Sequence, residues 1–244
     1  MKRIFADLHL CPNPNEPDCV KRMVDKAGRL GYSLIAISLS PNLAEEKTQW
    51  LQSLCSEAGI DFASRMDLKP RTPGELINGL RKFRRKFEII AVVCESKNVA
   101  RQASKDRRVD LLNFPAIDFR GRFFDRAEAE LASKGLASFE VDLKPLLTLE
   151  GPPRIRLLST LRREVTIAKA FRVPVVVSSG VPDELLMRKP REMAALTSLF
   201  DLDEISALRT VSENPAAIVR RNRQKLSAEF VAPGIRVVRR GKNC

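Results

Sequence analysis

The chain has 244 residues, 44% of them hydrophobic, and 43 Lys and Arg against 30 Asp and Glu, for a formal charge of +13. That composition supports one large core and argues against a membrane span or a disordered tail, because no apolar run approaches bilayer length and no low-complexity tract interrupts the pattern. The opening MKRIFADLHL is too poor in apolar residues for a signal-peptide core, and the five cysteines (11, 19, 55, 94 and 244) form no CxxC pair, so a soluble, cytoplasmic protein with reduced thiols is expected.

In chain order, Ile4 to Leu8 reads as a first strand. A helix follows with Val20, Met23, Val24, Ala27 and Leu30 on one face, stopped at Gly31. Leu34 to Leu39 is a second strand, and Trp50, Leu51, Leu54 and Ala58 mark a helix ending at Gly59. Ile60 to Leu68 is a third strand. Thr72, Pro73 and Glu75 then make a capping-box start for a helix carrying Leu76, Ile77, Leu80 and Phe83.

Ile89 to Cys94, the helix-spaced Val99, Ala100 and Ala103, and Val109 to Phe114 form a strand, helix, strand unit with a short parallel crossover. A helix around Asp125 to Ser133 and a strand from Ala137 to Leu143 come next. Arg154 to Arg172 is a long helix with Leu158, Leu161, Val165 and Ala168 facing in, and Val175 to Ser178 is a seventh strand. Beyond it the period stays helical, with a start at Asn214-Pro215. Seven strands alternating with helices and no clear eighth predict an irregular TIM-like (β/α) barrel of parallel strands, a single domain over residues 1–244 with a basic helical or extended segment from about 214.

The positive excess is uneven. Residues 81–126 hold 13 basic against 6 acidic side chains and residues 209–244 hold 9 against 2, while the remaining segments nearly balance. One such block is ordinarily a solvated face. Two blocks in one chain point to a polyanionic partner, nucleic acid ahead of membrane, since neither carries an amphipathic anchor.

Function in such folds sits at the carboxyl ends of strands, here Asp7-Leu8-His9, Ser38-Leu39-Ser40, Asp67-Leu68-Lys69, Cys94-Glu95-Ser96-Lys97, Asn113-Phe114-Pro115, Asp142-Leu143-Lys144 and Ser178-Ser179-Gly180. Carboxylates near lysines there are ordinarily ion pairs that order loops. There is no G-x-S-x-G, Walker loop or Gly-rich dinucleotide turn, and Gly180 stands alone in its loop.

Asp7-Leu8-His9 resembles the opening motif of the PHP family of metal-dependent phosphoesterases, with Cys11 where a second histidine would stand. His9 is the chain's only histidine. A multinuclear centre draws on several imidazoles, so no protein-bound catalytic metal and no catalytic residues are expected, and a PHP-type phosphoesterase remains the alternative reading.

Three blocks resemble the family of ribonuclease P protein component 3, archaeal relatives of a thirty-kilodalton subunit. They are Val99 to Ala103 with Asp106 to Pro115, Phe139 to Leu147, and Val177 to Gly180 with Arg188 to Glu192 and the following Ala194 to Leu199, in the family's order. The resemblance spans essentially the whole chain and implies a PHP-like barrel without its own chemistry. It also implies a non-catalytic subunit of the ribonucleoprotein hydrolase, an endoribonuclease, that removes 5′ leaders from precursor tRNA. The RNA would hold the catalytic Mg²⁺, and the partners would be that RNA, precursor tRNA and a Pop-five-like subunit (component 2) in a dimer of heterodimers. Inside the matched blocks it carries RNA binding to Arg101, Arg107, Arg108, Lys144, Arg188 and Arg191; loop positions add Lys69, Lys97, Arg120 and Arg122. Phe114, Phe119, Phe123 and Phe124 interleave with Arg120, Arg122 and Arg126, but core or rim packing accounts for most, with at most one expected to meet RNA or the partner.

Overall fold

A strand that is apolar on both faces has to be covered on both, and a helix after each strand supplies the cover. In the computed structural model, which describes residues 3–13, 15–42, 45–116, 122, 124–232 and 235–237, the strands are β1 (Ala6–Leu10), β2 (Leu34–Ser38), β3 (Asp61–Leu68), β4 (Ile89–Val93), β5 (Leu111–Asn113), β6 (Ser138–Asp142) and β7 (Val175–Ser178). They pair in sequence order, every pair parallel. Between them run α1 (Pro17–Leu30), α2 (Glu45–Glu57), α3 (Pro73–Phe83), α4 (Lys97–Lys105), α5 (Arg126–Lys134), α6 (Lys144–Thr148) and α7 (Gly151–Ala170). After β7 come α8 (Pro190–Leu196), α9 (Glu204–Thr210), α10 (Glu213–Leu226) and a hairpin of β8 (Phe230–Ala232) with β9 (Ile235–Arg236). The expected seven-stranded TIM-like barrel is what forms.

Two loop segments take the place of an eighth strand. At the carboxyl end, the Gly180 amide donates to the His9 carbonyl and the Cys11 amide to the Val181 carbonyl, both at 2.9 Å. At the amino end the Ala6 amide donates to the Val211 carbonyl at 2.9 Å. Gly180 is needed at this seam: its φ is +65°, and a Cβ there would lie 2.9 Å from Asp142 Cγ.

Local differences from the expected boundaries have local causes. Thr72 does cap α3, accepting from the Glu75 amide at 3.2 Å, but Glu75 reaches back to the Arg71 amide at 2.8 Å rather than to Thr72. The long helix starts at Gly151, because Pro152 and Pro153 fall in the first turn, where a missing N–H costs nothing. The five-residue α6 is too short to show a helical period.

Strand alternation splits the core in two. Outward residues such as Ile35, Met66, Ile90, Val92, Phe139 and Val177 pack under the helices. Inward residues Ala6, Leu8, Leu34, Ala36, Ala63, Ile89, Ala91, Leu111 and Val176 form a separate cluster with Ile218 and Val219 of α10. The small alanines leave room, and α10 fills it as a plug in the amino-terminal mouth.

Polar side chains of α10 hold it there. Asn222 Nδ2 donates to the Glu88 carbonyl (2.8 Å), Arg221 pairs with Asp110 (2.9 Å), and Arg223 pairs with Glu88 and Asp61, both at 2.6 Å. These partners all lie where strands begin. Much of the basic carboxyl-terminal segment is therefore an integral part of the barrel floor.

Ile218 is buried among the inward residues, so Ile218→Ala should lower stability by about 2–5 kcal/mol. A urea titration should show a lower midpoint at unchanged slope, whereas an unchanged midpoint would mean that α10 does not seal the barrel.

Candidate nucleic-acid interface and the closed carboxyl mouth

Inside the carboxyl half of the barrel the inward positions turn polar, and one cation organises them. Arg65 of β3 is fully buried. Its Nε and Nη2 donate to Asp67 Oδ1 (2.9 and 2.8 Å), Nη1 and Nη2 to the two Glu140 oxygens (2.6 and 2.7 Å), and Nη1 also to the Leu8 carbonyl (2.7 Å). All five guanidinium donors are thereby used. Glu140 also accepts from Ser178 Oγ at 2.8 Å and from Asn113 Nδ2 at 3.0 Å.

His9 closes the top of this cluster. Its Nδ1 lies 2.7 Å from Asp142 Oδ1 and its Nε2 3.6 Å from Asp67 Oδ2, while Asn113 Nδ2 donates to Asp142 Oδ2 at 2.9 Å. Ser38 Oγ donates to Asp67. Burial and the Arg65 charge pull the imidazole's pKa down, but Asp142 and Asp67 outweigh them and hold it well above the ordinary histidine value. Burial would raise the carboxyls of Asp67 and Asp142; for Asp67, Arg65 and then His9 hold the group well below its usual range, and for Asp142, His9 and then Arg65 lower it.

Asp7 behaves differently. Burial raises its carboxyl pKa against bonds from Ser179 and His9, and its Oδ2 is the one buried side-chain polar atom without a partner among the described residues. A neutral carboxyl is the cheaper form to leave half-satisfied in such a place.

The PHP-like opening implies metal ligands, and His9, Glu140 and Asp142 each offer an atom within 4.8 Å of the others. Their donors do not fit a metal as placed. Both Glu140 oxygens hold the guanidinium, both Asp142 oxygens are engaged, and the imidazole is biased towards its protonated form, which cannot ligate. Arg65 supplies the positive charge itself.

The expected RNA-binding cations scatter around the barrel. At the carboxyl side, Lys69 is exposed and Lys144 half-buried at the start of α6. Lys97 pairs with Asp125 at 3.1 Å, and Arg101 with the buried Glu128 at 3.3 Å. Arg188 folds back onto the carbonyls of Leu185 and Met187, both at 3.1 Å, and Arg191 of α8 is exposed on the amino-terminal side of the barrel, beside Phe5, Ser33 and Gly59.

Arg107 and Arg108 stand instead at the amino-terminal rim, before β5, opposite the mouth where function was expected; Arg107 is exposed and Arg108 pairs with Asp106 at 2.6 Å. Arg122, expected at the surface, is buried: it pairs with Glu164 of α7 at 2.5 Å and donates to the Phe114 carbonyl at 2.8 Å. Its partner lies 42 residues away in sequence, so nothing local announced the burial. Arg120, Phe119 and Phe123 lie outside the described residues. Phe114 and Phe124 are core, packed with Phe139 at centroid distances of 5.8 Å (Phe114 to Phe124) and 4.5 Å (Phe124 to Phe139).

Sequence reasoning passed over Arg65 and Glu140. The available signal was opposite charges at inward positions of two otherwise apolar strands, a pattern that only a buried pair makes affordable.

Comparison with known proteins converges. The profile of the family described as RNase P subunit p30 matches residues 4–227. Ribonuclease P protein component 3 of Methanosarcina barkeri is 31% identical over 237 residues, covering 97% of each chain. The protein of the same name from Methanosarcina mazei is 29% identical over 234 residues, covering 96% of this chain and 95% of the relative. A chain from a cryo-EM structure of archaeal ribonuclease P with mature tRNA superposes with a TM-score of 0.82 at 21% identity, covering 98% of this chain and 100% of its own, and so shares the fold.

Two outcomes are expected from the interior cluster. Arg65→Met strands Glu140 and Asp67 and should cost about 3–5 kcal/mol, part of which Arg65→Met with Glu140→Gln should restore; equal losses in single and double variants would contradict the pairing. Because the folded pKa of His9 is raised, its stabilisation is complete below the unfolded value of about 6.5 and is lost as pH rises through the folded value. The thermal midpoint should therefore fall on the alkaline side of that window in the native chain and fall less in His9→Gln.

Proposed function

The chain belongs to the RNase P subunit p30 family, and from that premise we propose that it serves as a protein subunit of ribonuclease P, binding and organising the RNA that processes precursor tRNA. Its partners are that RNA and the tRNA substrate. Within the same reading, the RNA carries the catalytic Mg²⁺, a Pop-five-like subunit pairs with this chain in a dimer of heterodimers, and the assembly works in the cytoplasm. No helix among the described residues is long and apolar enough to cross a membrane.

One observation carries the reading. The mouth where a barrel hydrolase keeps its catalytic groups is neutralised from within by Arg65, while cations without carboxylate partners remain on the outer surface. For the rival reading, a PHP-type phosphoesterase, Glu140 and Asp142 would have to exchange guanidinium, imidazole and amide partners for a metal. Surface cations set against phosphates instead gain free energy by releasing condensed counterions, and need no rearrangement of the core.

Reconstitution tests this directly. Ribonuclease P RNA with its other protein subunits should process precursor tRNA more efficiently when this chain is added, and the chain alone should hydrolyse no phosphoester with Mn²⁺ or Zn²⁺. Its affinity for the RNA should fall by roughly a thousandfold between 50 and 200 mM salt if about six phosphates are neutralised. Turnover by the isolated chain that disappears in His9→Ala would reverse the assignment.

A further inference from the structure

The amino-terminal rim carries a second feature of the barrel. A groove of about 580 Å³ opens there, between the turns that precede β4 and β5, the end of α10 and the β8–β9 hairpin, and its walls include Arg84, Arg85, Arg107, Arg108, Lys225 and Phe230. No carboxylate lines it among the described residues.

The cations fall into two groups. Arg84 is committed to Asp110 at 2.5 Å and to the Glu88 carbonyl at 2.9 Å, and Arg108 to Asp106 at 2.6 Å, so these two build the wall. The side chains of Arg85, Arg107 and Lys225 make no hydrogen bond or ion pair among the described residues. Partial burial, and then repulsion from Arg221, with Arg84 and Arg107 adding to it, lowers the Lys225 ammonium pKa despite some help from Asp110. The groove is thus a place where positive charge has been gathered beyond what the fold neutralises, and an incoming anion relieves that repulsion.

Its other wall is apolar. Phe230 is half-buried, while Leu226 and Val231 beside it are 38% and 60% exposed. Cations that track a phosphodiester backbone next to an aromatic face are the combination that unpaired nucleic acid requires: one part takes the phosphates, the other a base. A paired helix keeps its bases stacked on one another and has no use for Phe230.

We propose that this groove binds an unpaired stretch of RNA, with phosphates against Arg85, Arg107 and Lys225 and a base against Phe230. The proposal rests on the reading of the chain as an RNA-organising subunit and adds the place and the strand type.

The test compares full-length native chain with Arg85→Gln/Arg107→Gln, with Phe230→Leu, and with Lys21→Gln/Arg154→Gln, which removes the same charge from the exposed faces of α1 and α7. The probes are ribonuclease P RNA, an unstructured oligouridylate, a fully paired RNA duplex, polyglutamate and tripolyphosphate. The groove double variant should lose about tenfold in affinity for both the ribonuclease P RNA and the oligouridylate, and its salt slope should fall by about 1.4, two single-strand phosphate contacts. Phe230→Leu should lose about fivefold or more at an unchanged slope, with the control near native.

Groove variants that bind oligouridylate like the native chain would sink the proposal, as would preferential binding of the duplex, of polyglutamate or of tripolyphosphate at this groove. If those variants are silent while the native chain still binds ribonuclease P RNA and supports processing, only the groove assignment falls. If the native chain does neither, the subunit reading falls with it.

Discussion

Around Arg65 the barrel resolves a problem that its own inward residues create. Asp67, Glu140 and Asp142 converge inside the carboxyl half, Glu140 buried and the two aspartates mostly so, where like charges repel strongly and isolated carboxylates are costly. The Arg65 guanidinium serves two carboxylates and a carbonyl with five hydrogen bonds at once, because its donors are fixed in a plane and each finds an acceptor. His9, whose pKa Asp142 and Asp67 raise well above the ordinary histidine value, sits against both carboxylates. A buried ion cluster of this kind adds little net stability over an apolar filling, but breaking it is expensive. Its structural consequence is geometric: β3 and β6 face each other across the barrel at a distance that the Arg65 to Glu140 pair sets.

The same cluster occupies the end of the barrel where (β/α) barrel enzymes hold their catalytic groups. Here the carboxylates at that end are engaged by neighbouring side chains: Asp67 and Glu140 by Arg65, and Asp142 by His9 and Asn113.

At the opposite end, α10 closes the barrel with Ile218 and Val219, and its arginines knit the beginnings of β3, β4 and β5 together. A plug helix that ends at the rim also brings the chain that follows it to that rim. The β8–β9 hairpin therefore lies against the turns carrying Arg84, Arg85, Arg107 and Arg108, and two basic segments that are distant in sequence become one surface.

Much of this was legible from the residues alone, where the cause is local. Strand and helix alternation, the Gly31 stop, the Thr72 cap and the Val175 to Ser178 strand follow from side-chain period, backbone freedom and short-range hydrogen bonding. The uneven charge, the solitary histidine and the three family blocks are likewise properties of the linear chain. What the chain could not state is which charges meet. Arg65 and Glu140 are 75 residues apart, Arg122 and Glu164 are 42 apart, and Arg221 and Asp110 are 111 apart, so the same residue type became a buried strut at one position and a free cation at another. Periodicity and composition report what each segment prefers, and they determined a basic, seven-stranded barrel, while the resemblance of the three blocks implied the family. Only closure of that barrel decided where α10 sits and which cations are paired or left free, because burial and pairing are set by neighbours that folding brings together.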